Sequence, residues 1–137
     1  MAWLYEIANG RMSRGGNLLA KGYSGNGDGL NNPLMIAVKD HGPLPVGFYT
    51  IGEPIPHEPK VGAYALPLIP DGANEMFGRS GFFIHGDNQK LDNSASDGCI
   101  VLPLFARQRI GLGIATDNTL QVISALPGPS PEEWSIT

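Results

Sequence analysis

Short apolar runs alternate along this chain with clusters of glycine, proline, asparagine and aspartate, and neither pattern lasts long enough for an extended helix. Residues 3–8 read as a strand closed by Asn9-Gly10, a strong hairpin turn because both residues tolerate positive φ. Residues 11–13 return, 14–17 turn again, and 18–23 make a further strand. Residues 24–33 form a long turn-rich loop, and 34–38 fit either a strand or one helical turn. A rigid loop at 42–47 leads into a strand at 48–51, followed by an exposed connection at 53–62 that carries His57. Residues 63–69 alternate as a strand does, and 70–79 are loop with a turn at 74–77. Residues 82–84 and 100–102 lack polar alternation, as expected of strands buried on both faces. Pro103 suits the first helical position, which predicts a helix over 104–110 stopped by Gly111 and Gly113. A last strand at 119–124 follows the Asp117-Asn118 turn, and 126–137 is a tail with Trp134 as its anchor. The pattern predicts a mainly β domain of short strands with one or two short helices and no internal repeat.

Length and composition narrow the picture. At 137 residues the chain fits one domain, and 42% hydrophobic against 16% charged residues places it with folded rather than disordered chains. The net charge of −4, without any basic run, speaks against a nucleic-acid partner. One cysteine cannot form an internal disulfide, and no zinc spacing of Cys and His occurs. The glycines of 24–33 lack the following helix and Gly-Lys-Ser/Thr of a phosphate loop, and the Asp and Asn spacing there lacks the terminal Glu of a calcium loop. No metal and no cofactor are expected. The first residues lack the basic and apolar regions of a signal peptide, and no apolar stretch approaches the ~18 residues of a membrane span. The expectation is therefore a monomer made in the cytoplasm, without a membrane span.

The candidate chemistry lies between Phe82 and Leu102, a stretch that holds the single Cys99 and one of three histidines, His85. One apolar run ends at His85 and another begins just after Cys99, with a polar turn-forming loop between them. Two neighbouring antiparallel strands would bring the two residues to the same end of the pair, with Cβ atoms about 4.5–5.5 Å apart. At that range an imidazole can take a proton from a thiol, and a thiolate–imidazolium resting pair would hold the thiol pKa low. The alternatives are an inert thiol behind a tight turn and a core histidine bonded to backbone. Gly98 lets a substrate approach the backbone and frees N–H groups to face an oxyanion. The Gly86 carbonyl or the Asp87 carboxylate would fix the His85 tautomer. Asp97 would harm the thiol if it pointed at it, so it is expected to face away, capping the loop or binding a substrate ammonium. Arg79 is either a solvated surface charge or the holder of a substrate carboxylate. His41 and His57, in proline-rich loops, are not favoured for catalysis.

At these residues the pattern resembles the L,D-transpeptidase family: Ile84-His85-Gly86, a loop, then Ser96-Asp97-Gly98-Cys99-Ile100, with Pro45-Val46-Gly47-Phe48-Tyr49-Thr50-Ile51 upstream. Gly22-Tyr23-Ser24-Gly25, Asn31-Asn32-Pro33, Gly42-Pro43-Leu44-Pro45, Asn74-Glu75-Met76-Phe77-Gly78-Arg79-Ser80-Gly81 and Gly98-Cys99-Ile100-Val101 are similar to the type VI secretion L,D-transpeptidase effectors. The resemblance covers about residues 3–124. It departs from the general family pattern at Asp97, where a second histidine is usual, and at Val101, where an arginine is common.

The resemblance implies an L,D-transpeptidase-like β-sandwich or barrel as a catalytic domain over 1–125, with 126–137 as a tail. It implies Cys99 as nucleophile, His85 as base, Gly86 as orienting acceptor, Gly98 and Cys99 N–H groups as oxyanion hole, and Ser96 as loop brace. Asp97, Arg79 and Asp87 are the substrate-binding candidates beside them. The implied substrate is the tetrapeptide stem of peptidoglycan, attacked at the L-centre of diaminopimelate with loss of D-alanine. Hydrolysis, D-amino acid exchange and cross-linking are the possible outcomes, the first two favoured by a small chain with an open cleft. The implied partners are a type VI secretion apparatus, which delivers the chain to the periplasm of a target bacterium, and a cognate immunity protein. Two rival readings are another cysteine cell-wall amidase or peptidase, in which Cys usually precedes His, and a non-catalytic wall-binding β-module.

Overall fold

The computed structural model describes residues 2–88 and 95–125; the expected tail and its Trp134 anchor, and the middle of the loop after His85, lie outside the described residues. β1 (Trp3–Glu6) and β2 (Arg11–Arg14) form the first hairpin, and β3 (Asn17–Lys21) pairs back on β2. The expected strand at 18–23 is two strands: it breaks at Gly22, and β4 (Tyr23–Ser24) leaves β2 to pair elsewhere. Two 3-10 turns follow, Gly27–Gly29 and Pro33–Met35, the second begun by Asn32, whose side chain accepts from the Leu34 N–H.

β5 (Gly47–Ile51) and β7 (Gly62–Pro70) match the sequence pattern closely. The connection between them, expected to be only exposed loop, holds β6 (Ile55–Glu58), which folds back on β7. β8 (Phe83–His85), β9 (Ile100–Val101), the helix α1 (Leu104–Leu112) and β10 (Thr119–Ile123) complete the chain. Pro103 is the cap of α1 rather than its first residue, and Gly111 lies inside the helix, so Gly113 alone ends it. Helix interiors tolerate such a glycine at a cost of about 1 kcal/mol.

The chain is mainly β, with one helix among the described residues, and its ten strands form one mixed sheet that does not close into a barrel. The order is β3-β2-β1-β10-β5-β7-β8-β9-β4, with β6 on β7. The β1–β10 and β8–β9 pairs are parallel, and the others are antiparallel. Alternate residues of these strands supply the core: Trp3 and Tyr5, Tyr49 and Ile51, Leu66 and Leu68, Leu120 and Val122. Ala106 and Ile110, four apart on α1, bury one helix face in the same cluster. Ile84 and Ile100 are fully buried register partners, each contributing roughly 1.5–3 kcal/mol. That pair fixes the two strands that carry His85 and lead out of Cys99.

Candidate active site

The β8–β9 pair is parallel, not antiparallel as the sequence suggested, because residues 86–99 cross back before β9 begins. A crossover of about a dozen residues is what a parallel connection requires. His85 ends β8 and Cys99 precedes β9, so the two sit at opposite ends of the pair. The strands are so short that these ends nearly coincide. Ile84 faces Ile100 and His85 faces Val101; continuing that register one residue before β9 sets Cys99 beside Phe83 and, by the alternation of strand side chains, on the face of His85. The Phe83 N–H donates to Cys99 Sγ at 3.3 Å. His85 Nδ1 lies 2.8 Å from the Gly86 carbonyl. A carbonyl only accepts, so Nδ1 carries the proton and Nε2 is left as the basic nitrogen. Gly86 has no room for a side chain: a Cβ there would lie 2.8 Å from Nη1 of Arg107.

The turn before Cys99 is held by buried hydroxyls. Ser96, fully buried, donates to the Cys99 carbonyl at 2.5 Å and accepts from the N–H groups of Gly25 and Gly98 at 2.9 and 3.1 Å. That fills the hydroxyl's whole capacity of one donor and two acceptor sites. It also corrects the expected oxyanion hole, since the Gly98 N–H is engaged by Ser96; among the described residues the Cys99 N–H donates to nothing. Ser24, equally buried, donates to the Gly98 carbonyl at 3.0 Å and accepts from Leu44 N–H at 2.9 Å. Gly98 has φ +135°, and a Cβ there would lie 2.4 Å from Arg79 Nη2 and 2.8 Å from Phe82 Cε1, so only glycine fits.

Arg79 is neither a solvated charge nor a free carboxylate receptor. Its side chain is buried, and its two terminal nitrogens donate to four backbone carbonyls: Ile36 at 2.6 Å, Pro43 at 2.8 Å, Gly42 at 2.9 Å and Asp97 at 3.1 Å. It ties the 36–43 loop to the turn before the cysteine. The exposed Asp97 side chain turns to Asn26, whose Nδ2 lies 3.3 Å from Oδ1 and also donates to the Ser96 carbonyl at 2.9 Å. Asp87 accepts from the Tyr23 hydroxyl at 2.7 Å, and that hydroxyl accepts from Ala95 N–H at 3.0 Å. His41 is engaged with Asn26 at 3.0 Å, and His57 lies on β6, paired with Ala63.

Electrostatics favour a neutral pair at rest, against the expected thiolate–imidazolium pair. Burial pushes the Cys99 thiol up to about 11; the Phe83 N–H and Arg79 oppose this, while Asp97 and Glu58 add to it. Burial also holds His85 below the ordinary imidazole range, with Arg107 adding to the effect and the Gly86 hydrogen bond, Asp87 and Asp97 opposing it. Both directions disfavour charge separation before a substrate arrives.

Two cavities lie close by, one at Cys99 and one at Gly86, and neither is lined by His85. A small cleft of about 180 Å³ reaches Cys99 itself, lined among others by Lys39, Asp40, Arg79, Ser80 and Asp97. A larger groove of about 690 Å³ touches Gly86, Asp87, Tyr23, Lys21, Leu104 and Arg107 but does not reach the sulfur. Among the described residues no group of three or more His, Cys, Asp or Glu is placed to hold a metal ion, and no helix is long and apolar enough to cross a membrane.

Residues 19–110, about two-thirds of the chain, match the Tlde1 domain. The chain belongs to the Tlde1 domain family. This is a family of type VI secretion effectors, which are delivered into a target cell. No curated protein matches the chain. The matched span of the Tlde1 domain runs from β3 to α1 and contains His85, Ser96, Gly98 and Cys99, whereas β1, β2 and β10, which complete the core, fall outside it.

Sequence reasoning about this Tlde1 domain missed several residues that build the site. Ser24 and Asn26 brace the cysteine turn from a distant loop, Arg107 supports the Gly86 turn by donating to the Leu102 carbonyl at 2.7 Å, and Lys39 lines the cysteine's cleft. Only Ser24 had a signal, inside the resembled Gly22-Tyr23-Ser24-Gly25 segment. Asn26 acts across 70 residues, Arg107 bonds only to backbone carbonyls, and Lys39 only lines a cleft, so none of them leaves a local pattern.

Proposed function

We propose that this Tlde1 domain chain is a cysteine acyltransferase that acts on tetrapeptide stems of peptidoglycan, with L,D-carboxypeptidase and D-amino acid exchange as its main outcomes and L,D-transpeptidation as a third. Its catalytic unit spans residues 1–125. It acts as an antibacterial effector in the periplasm of the target cell and is held in check by an immunity protein of its producer. The observation that carries this reading is the placement of His85 and Cys99 on one face, with Nδ1–H engaged by the Gly86 carbonyl and Nε2 left to act as base.

In this mechanism His85 Nε2 takes the thiol proton as the sulfur attacks the carbonyl carbon at the L-centre of diaminopimelate. The S–C bond forms and the negative charge moves to the carbonyl oxygen, which the Cys99 N–H receives. One such donor contributes about 2.7–4 kcal/mol to acyl transfer. The C–N bond then breaks, and the imidazolium gives its proton to the departing amine of D-alanine. Water or another amine attacks the thioester, His85 takes its proton, and that proton returns to the sulfur as the S–C bond breaks. The test is incubation of wild type and Cys99→Ala with tetrapeptide muropeptides, followed by chromatography and mass measurement. Wild type should release D-alanine alone and Cys99→Ala nothing. Cleavage at any other bond would assign the chain to the amidases, and full antibacterial effect from Cys99→Ala would make it a binding module.

A further inference from the structure

The small cleft at the sulfur holds two cations, Arg79 and Lys39, and they are not equivalent. Arg79's terminal N–H groups all point to backbone carbonyls, so its fork is committed to the loops that hold the cleft. Lys39 is exposed and, among the described residues, makes no ion pair or hydrogen bond. Its position is nonetheless fixed by its surroundings. The carbonyls of Ile36, Gly42 and Pro43 around it are held by Arg79, the Asp40 carbonyl accepts from Asn26 at 2.7 Å, and Asp40 takes a left-handed φ of 66°. Non-glycine residues seldom adopt that conformation, and it persists only where the surrounding structure imposes it. The turn therefore presents a mobile ammonium from a rigid base. The carboxylates in the same cleft, Asp40 and Asp97, repel any further anion, and Lys39 is the lining cation that has no partner among the described residues to draw it away from one.

At about 180 Å³ the cleft is below the usual size of a drug-sized ligand site, roughly 300–1,000 Å³, and suits one amino acid rather than a second stem. We propose that Lys39 receives the carboxylate of the terminal amino acid that leaves the stem, and of the free amino acid that replaces it. This rests on the acyl-transfer reading above and identifies the cleft as the seat of the exchanged residue. Lys39 is a specificity residue: it touches the carboxylate and not the reacting carbonyl.

The experiment compares two synthetic tetrapeptides, one ending in a free D-alanine carboxylate and one in D-alanine amide, with the full chain as wild type, Lys39→Ala and Lys39→Arg. Wild type should prefer the acid by about 3–5-fold in kcat/KM, the upper range of a partly exposed ion pair. Lys39→Ala should bring the two substrates within about twofold of each other by slowing only the acid, and Lys39→Arg should keep the preference. The ratio is insensitive to partial misfolding, which slows both peptides alike. A preference retained in Lys39→Ala, or absent from wild type, overturns the assignment. No turnover of either peptide by wild type removes the acyl-transfer reading itself, and this inference with it.

Discussion

Arg79 gives the sharpest test of how the site is built. Arg79→Met removes the donors to four carbonyls, and with them the guanidinium that lies over the Phe82 ring, while keeping an apolar stem of similar length. Each buried carbonyl left without a donor costs about 1–3 kcal/mol. The four costs do not add in full, because one or two waters entering the vacated space can each satisfy two or three of them. A loss of about 3–5 kcal/mol is expected, the range seen when one partner is removed from a buried charged contact. For a chain of this length that lowers Tm by roughly 10–20 °C. Arg79→Lys separates structure from substrate binding. It keeps the charge, but one ammonium cannot reproduce the planar fork that reaches both loops, so it should still lose about 2 kcal/mol. The assays are thermal and urea unfolding, run beside the rate of iodoacetamide alkylation at fixed pH. Arg79 lowers the Cys99 pKa, so Arg79→Met should slow alkylation while Arg79→Lys retains most of it. A fully stable Arg79→Lys protein with a KM many times higher would refute this reasoning and restore Arg79 as a substrate-carboxylate receptor.

Three further outcomes follow from the same site. With the thiol pushed up to about 11, iodoacetamide alkylation of the free chain should climb tenfold per pH unit from 7 to 10, and a plateau reached below pH 8 would reveal a thiolate–imidazolium pair instead. His85 must be neutral to act as base and its pKa is lowered, so kcat/KM should fall on the acid side with a midpoint below the ordinary 6.5. The same shift means that stability present above pH 6.5 is lost as pH falls through the lower folded value, because the unfolded chain binds that proton first. Gly98→Ala forces a Cβ against the pinned Arg79 guanidinium and Phe82 at φ +135°, and should cost about 2–4 kcal/mol. Gly16→Ala, also at positive φ but in open space, should cost only about 1 kcal/mol, and equal losses in urea unfolding would remove the steric argument.

Much of the fold was legible because its strands are short and bounded by strong turn residues. Asn9-Gly10 and the paired Gly15 and Gly16 mark β1 to β3 locally. The errors came where pairing between distant segments decides. β3 and β4 form one continuous apolar pattern, and only their different partners, β2 and β9, separate them at Gly22. β6 is proline-bearing and largely exposed, and only its pairing with β7 makes it a strand. The direction of β9 relative to β8 cannot be read from two apolar runs and a loop. With strands of only three and two residues, reversing that direction turns the expected opposite neighbours, His85 and Cys99, into residues at the two ends of the pair, offset by two positions.

The roles of the polar residues were harder to read, for a physical reason. An arginine beside glycines looks solvated in a sequence, since charged side chains are rarely buried unless paired. Here four carbonyls, from residues 36, 42, 43 and 97, are its partners, and a backbone partner carries no sequence signal at all. The same holds for Ser24 and Ser96, whose hydroxyls meet backbone groups of Leu44, Gly98, Gly25 and Cys99. Cys99 is thus placed not by the sheet ladder, which begins one residue later, but by three buried polar side chains bonded to main chain from both directions. Hydrogen bonds of this kind are individually modest, about 0.5–1.5 kcal/mol net, yet breaking one leaves a buried group unpaired. The turn therefore has little freedom to relax, which is why a small change such as Gly98→Ala should cost turnover as well as stability.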